Sequence, residues 1–138
     1  QIFGEDGDDR LRGEAGADVL RGYAGADALG GGLGDDTIYG GSGDDRLSGG
    51  QGDDLLEGGA GADTFVFREA GGRDTITDFT PGEDLLALGA ELGAASFGAL
   101  SVSDTGSGAE IAFADGGVLV LEGVSASWLT EADFVFGV

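Results

Sequence analysis

A nine-residue period governs the first half of the chain. Stepping by nine from Gly4, the first position is Gly4, Gly13, Gly22, Gly31, Gly40, Gly49 and Gly58, and the fourth is Gly7, Gly16, Gly25, Gly34, Gly43, Gly52 and Gly61. The sixth is Asp9, Asp18, Asp27, Asp36, Asp45, Asp54 and Asp63, and the eighth is always apolar: Leu11, Leu20, Leu29, Ile38, Leu47, Leu56 and Phe65. A unit this short cannot bury its own apolar residue, so repeats of this kind stack into a solenoid with one continuous core. Glycines at fixed offsets supply backbone angles that side chains forbid and let carbonyls turn inward. One aliphatic residue in a short extended piece gives one inward side chain per rung. Neighbours such as Arg10 and Arg12, or Arg46 and Ser48, then face solvent.

Charge decides what such a solenoid needs. The 138 residues include 27 Asp and Glu against 6 Arg, with no Lys and no His, for a net charge of −21. That balance repels nucleic acid and anionic lipid, and makes cations the expected partner. Without His or Cys, the usual zinc, copper, haem and iron–sulfur sites are excluded, as are Ser–His and Cys–His nucleophiles. Oxygen donors remain, which suit calcium and magnesium. The stretch GGGLGDD at 30–36 has only Arg21 near it in sequence, which argues against a phosphate loop. An EF-hand lacks its Glu-terminated loop and helices. No apolar run reaches the roughly 18 residues of a membrane span, and Gln1 opens no leader-like segment. Gln1, Ile2 and Phe3 fit positions seven to nine of a preceding repeat, so further chain is expected upstream.

The period resembles the G-G-x-G-x-D-x-U-x nonapeptide of the RTX (repeat-in-toxin) family. The resemblance covers residues 1–66 and implies an all-β fold, a parallel β-roll. In it each repeat makes a six-residue calcium-holding turn and a three-residue strand, and two repeats make one coil. Stacked coils bring carboxylates about 5 Å apart, where a pair repels by about 3 kcal/mol at an effective dielectric near 20. A divalent ion between turns reverses that sign. With repeats alternating sides, the expected sites pair Asp9 with Asp27, Asp27 with Asp45, Asp45 with Asp63, Asp18 with Asp36, and Asp36 with Asp54. Glycine-turn carbonyls complete them, with Gly7, Gly16, Gly25, Gly34, Gly43, Gly52 and Gly61 as the candidates. A flexible cage of about six oxygens favours calcium over magnesium. Fifth-position Asp8, Asp35, Asp44 and Asp53 are expected to face outward without ligating.

The pattern decays over residues 67–88, where Gly72, Asp74 and Ile76, then Gly82, Asp84 and Leu86, keep the repeat's fourth, sixth and eighth offsets. These degenerate repeats add the pairs Asp54 with Asp74 and Asp63 with Asp84, for five to seven calcium ions in all; Asp78 is an extra ligand or a turn residue. Residues 89–138 read as a β-rich cap. Strands are expected at 100–104, 110–114 and 118–123, one short helix in SASWLTEAD and a last strand in DFVFGV. Trp128, Phe97, Phe113 and Phe134 are expected to provide apolar cover for the open end of the roll.

The stretch DTFVFREAGGRDTITDFTPGEDLLAL, with LEGVSASWLTEADFVF, is similar to the C-terminal region of serralysin-type metalloproteases and other type I exported proteins. The resemblance implies an uncleaved export signal, matched by Asp133, Phe134, Val135 and Phe136, and an ABC-transporter secretion apparatus as partner. It brings no protease, because the zinc motif H-E-x-x-H-x-x-G-x-x-H needs histidine. The expectation is therefore a non-enzymatic, calcium-dependent folding and secretion module: monomeric, extracellular, at the C-terminus of a larger bacterial protein and beside an upstream domain. The second expectation is a calcium-dependent polysaccharide-binding or adhesion module. The −21 charge argues against a polyanionic glycan, and no aromatic row marks a sugar platform.

Overall fold

The computed structural model describes residues 1–69 and 71–138; Ala70, inside the degenerate stretch, lies outside the described residues. The chain winds into a two-sided parallel roll. Strands β1 (Ile2–Asp6), β3 (Val19–Ala24), β5 (Thr37–Ser42), β7 (Leu55–Ala60) and β9 (Arg73–Ile76) stack on one side. Strands β2 (Arg10–Ala15), β4 (Ala28–Leu33), β6 (Arg46–Gln51), β8 (Thr64–Phe67) and β10 (Leu85–Leu88) stack on the other. Each strand pairs with the strand two repeats on, so two nonapeptides make one coil.

Eighth-position side chains form two buried columns. One runs Ile2, Leu20, Ile38, Leu56 and Ile76, the other Leu11, Leu29, Leu47, Phe65 and Leu86. Leu20, Ile38, Leu47, Leu56 and Phe65 are wholly removed from solvent. The degenerate repeats make a full fifth coil: Ile76 aligns with Leu56 and Leu86 with Phe65, although the spacing has widened to 20 and 21 residues. Extra residues go into the turns, where they leave the register of the columns intact.

The expectation of three-residue strands is corrected. β2 to β7 each span six residues, because pairing resumes beyond the first glycine: Arg12 faces Gly30 and Glu14 faces Gly32, while Gly13 is skipped. The first glycine thus interrupts each ladder and turns its carbonyl out of the strand pairing.

The cap extends both columns. β13 (Val118–Glu122) pairs parallel with β9, placing Leu121 over Ile76, and carries the antiparallel strands β12 (Gly108–Ala112) and β11 (Ser101–Asp104). β14 (Phe134–Phe136) pairs parallel with β10, placing Phe134 over Leu86. β12 starts and stops earlier than 110–114, since Phe113 N–H closes the following turn on the Gly117 carbonyl at 2.9 Å.

Two further expectations change. The short helix in SASWLTEAD is two single 3-10 turns, Ala126–Trp128 and Glu131–Asp133, with Leu129 and Thr130 extended between them. A Thr130–Asp133 capping box starts the second turn, and neither is long enough to propagate as α-helix. Trp128 does not cover the roll; it is 59% exposed. Ala126 packs against the core and Leu129 is buried, so the three-residue period turns Trp128 outward. Phe134 and Phe97, with ring centroids 5.2 Å apart, provide the cover instead.

Candidate metal centre

Sixth-position aspartates stand in two rows, one along each edge of the roll. On one edge the Asp27, Asp45, Asp63 and Asp84 Oδ1 atoms accept the main-chain N–H groups of Asp9, Asp27, Asp45 and Asp63 at 2.8–2.9 Å. On the other edge Asp36, Asp54 and Asp74 accept from Asp18, Asp36 and Asp54 at 2.8–3.0 Å. All seven sequence-derived pairs are thus neighbours. The structure orders them, each carboxylate reaching back to the aspartate of the preceding coil.

The second oxygen is the informative one. Oδ2 of Asp9, Asp27, Asp36, Asp45, Asp54 and Asp63 is buried and accepts no hydrogen bond. A buried acceptor without a partner costs about 1–3 kcal/mol, and more when charged, so a native fold does not repeat it six times without a ligand for it. Each Oδ2 lies beside the space that a Cβ on the first glycine of its own turn would fill. At Gly4, Asp9 Oδ2 lies 2.8 Å from that point and the Gly22 carbonyl oxygen 2.9 Å from it. Asp18 Oδ2 with the Gly31 carbonyl, Asp27 Oδ2 with Gly40 and Asp36 Oδ2 with Gly49 repeat the arrangement. Carboxylate and carbonyl oxygens thus face one small space per turn. This donor set fits a hard divalent cation.

First-position carbonyls were not singled out in the sequence, although the invariance of that glycine was their signal. The fourth-position glycines also stack: a Cβ on Gly25, Gly34, Gly43, Gly52 or Gly61 would strike the carbonyl of Gly7, Gly16, Gly25, Gly34 or Gly43 in the coil before. Among the described residues no three acidic side chains gather at one point, and the first-position glycine carbonyls are the oxygens that lie beside these carboxylates.

Burial sets the electrostatics. Asp36, Asp45 and Asp84 have their pKa raised from the ordinary value by desolvation. Asp54 is pushed up to about 6, and Asp63 and Asp74 each to about 7. Desolvation is the main cause and neighbouring carboxylates add to it, while the accepted N–H opposes it. A nearby cation would lower all of them.

The exposed fifth-position carboxylates face outward as expected, but they also bond. Oδ1 of Asp8, Asp35, Asp44 and Asp53 accepts the N–H of Ala26, Asp53, Ala62 and Arg73 in the following coil at 2.8–2.9 Å. Sixth-position carboxylates reach to the preceding coil and fifth-position ones to the next. Asp78 is a turn residue whose two oxygens accept Gly58 N–H and Gly59 N–H.

Fold and site together define a parallel β-roll whose two turn edges are built from carboxylate and carbonyl oxygens. Comparison with known families agrees: the RTX calcium-binding nonapeptide repeat (4 copies) matches residues 3–38 and 30–65. The chain belongs to this family, and its calcium-binding repeats form a β-roll. It is similar to the AlgE6R3 subunit of the Azotobacter vinelandii mannuronan C5-epimerase, at 35% identity, TM-score 0.70, covering 89% of this chain and 79% of that one. The AlgE6R2 subunit of the same epimerase matches at 33% identity and TM-score 0.56, covering 99% and 92%. The extracellular lipase LipA of Serratia marcescens shares the fold at 19% identity and TM-score 0.55; the match covers 96% of this chain and 39% of the lipase. No curated protein matches the sequence.

Proposed function

We propose that the chain is a calcium-dependent folding and secretion module of a larger exported bacterial protein. The observation that carries this reading is the set of six buried Oδ2 atoms, along the two edges of the roll, that accept no hydrogen bond. Asp9, Asp18, Asp27, Asp36, Asp45, Asp54, Asp63, Asp74 and Asp84 would hold five to seven calcium ions between stacked turns. Carbonyls of the first- and fourth-position glycines would complete the shells, and bound calcium would supply the positive charge that lets the two rows stack.

In this reading residues 4–66 are the repeats, 67–88 their degenerate continuation and 89–138 the cap. Extracellular calcium modules bind at about 10⁻⁴–10⁻³ M, far above cytosolic calcium. The chain would therefore stay unfolded and threadable inside the cell and fold outside it, because metal binding and folding are one equilibrium. Asp133 to Phe136 serve as the export signal. Asp133 is buried, its carboxylate accepting Gly82 N–H and Thr130 N–H, both at 2.7 Å, and Phe134 is buried beside it, while Val135 stays exposed.

Circular dichroism with and without millimolar calcium tests the folding half, and a calcium-free chain already rich in β-structure would overturn it. Fusion of the chain to a passenger in a type I export system tests the secretion half; export unaffected by deletion of residues 133–138 would overturn that.

A further inference from the structure

The two edges of the roll do not end as they run. The carbonyls of Gly22, Gly31, Gly40, Gly49 and Gly58 each lie beside the Oδ2 of the aspartate one coil before, in turn Asp9, Asp18, Asp27, Asp36 and Asp45. At Gly49 and Gly58 this pairing stops. There the three atoms nearest the point a Cβ would occupy all belong to the turn's own aspartate, Asp54 or Asp63, and no carbonyl of the fifth coil is among them.

Strand register explains the change. Leu47 aligns with Phe65 and Leu56 with Ile76, so Phe67 stands one coil above Gly49 and Asp78 one coil above Gly58. The fifth coil thus has no glycine at either first position. Phe67 keeps its place in β8, pairs with Leu88 and is buried in the core. Its carbonyl accepts Gly89 N–H at 2.7 Å, so it stays in the ladder instead of turning towards Asp54. The Asp78 carbonyl accepts the Thr80 hydroxyl at 3.4 Å.

Carboxylates of the same coil are committed as well. Asp27, Asp36 and Asp45 each give one oxygen to a main-chain N–H and keep the other free. Asp84 keeps neither: Oδ1 accepts Asp63 N–H at 2.9 Å and Oδ2 accepts Thr80 N–H at 2.8 Å. Asp78 spans Gly58 N–H and Gly59 N–H at 2.9 and 2.7 Å. The cap uses the fourth positions, with Asp133 accepting Gly82 N–H and Val118 N–H donating to the Gly72 carbonyl at 2.9 Å.

We propose that the spaces between Asp54 and Asp74 and between Asp63 and Asp84 take no calcium, and that the chain's own groups close the fifth coil in its place. Calcium needs about six to eight oxygens, and in these spaces the first-position carbonyls are already spent on N–H and hydroxyl donors. The oxygens left there, Asp54 Oδ2 and Asp63 Oδ2, are buried away from the water that could supply the rest. Their orphaning is offset by the burial of Phe67 and by the hydrogen bonds of Asp78. The five to seven ions of the wider reading narrow to five, held by the pairs from Asp9 with Asp27 to Asp45 with Asp63. The degenerate repeats are then the boundary between structure held by cations and structure held by side chains.

This assignment rests on the calcium reading of the first four coils. Its test is to count the ions bound to the full chain, by equilibrium dialysis against radioactive calcium in excess magnesium, which occupies the exposed carboxylates. The count is taken at the calcium concentration that just completes folding by circular dichroism. Five ions are expected in the unaltered chain and in Asp74→Asn and Asp84→Asn, with folding midpoints within about twofold of it, whereas Asp45→Asn should hold fewer. A count other than five in the unaltered chain overturns the proposal, as does the loss of an ion from folded Asp74→Asn or Asp84→Asn, or five ions retained by Asp45→Asn. Should Asp84→Asn not fold, Asp74→Asn and the unaltered count decide. A chain that calcium neither loads nor folds overturns the calcium reading instead, and the circular dichroism separates the two failures.

Discussion

Asp45 Oδ1 accepts the main-chain N–H of Asp27 at 2.8 Å, while its Oδ2, buried in the same turn, accepts nothing. One oxygen ties two coils together and the other is left for a cation. Because Asp45 also donates its own N–H to Asp63 Oδ1, it belongs to two sites at once.

Asp45→Asn retains an acceptor for Asp27 but removes the charge. It should raise the calcium concentration needed for folding several-fold and lower the cooperativity of the transition, read by circular dichroism. Asp44→Ala loses one exposed hydrogen bond to Ala62 and should cost only about 0.5–1.5 kcal/mol. Equal effects from the two would show that the sixth-position row has no special role.

Mild acid and calcium should oppose each other. Asp63 and Asp74 titrate near 7 and Asp54 near 6 in the metal-free roll, all above the unfolded value of 3.8. With a raised folded pKa, the protonated form favours the fold: this contribution is fully present below about 3.8 and is lost as pH rises towards 7. The metal-free chain should therefore hold more β-structure at pH 4.5 than at pH 7.5. The calcium midpoint should move to higher concentration between pH 7.5 and 5.5, since protons compete for the same oxygens. A calcium midpoint independent of pH over that range would contradict the burial of these carboxylates.

Glycine at 49 and glycine at 30 should behave as opposites. A Cβ at Gly49 would strike the Asp54 carboxylate, so Gly49→Ala should impair both folding and calcium binding. Gly30→Ala enters open space at a position where Arg12 and Ser48 stand in the coils on either side, and should change stability by less than about 1 kcal/mol. Chemical denaturation in saturating calcium distinguishes them.

Leu47→Ala, in the middle of a buried column, should cost about 2–5 kcal/mol, whereas Leu55→Ala, 39% exposed on the outer face, should be nearly neutral. Thermal melts in calcium measure both.

The two columns, the alternation of edges and all seven aspartate pairs were legible because the nine-residue period resembles the RTX nonapeptide, and that resemblance implies two repeats per coil. Asp74 and Asp84 were legible for the same reason, even though their turns had lengthened. The direction in which each carboxylate reaches was not legible, because it depends on the rotation of one turn over the next. The exposure of Trp128 was hidden as well: a 3-10 turn and an α-helix present different faces, and nothing in SASWLTEAD separates them before Leu129 finds its place in the core.

The period, through its resemblance to the RTX nonapeptide, pointed to a calcium roll, and the −21 charge pointed the same way, because so many like charges in a compact fold need counter-ions. Tertiary structure alone decided where the few positive charges meet. Arg10 and Arg46 share the stretch GDDRL, but Arg12 and Arg68 lie outside it, and only the stacking of the coils sets all four around one hollow.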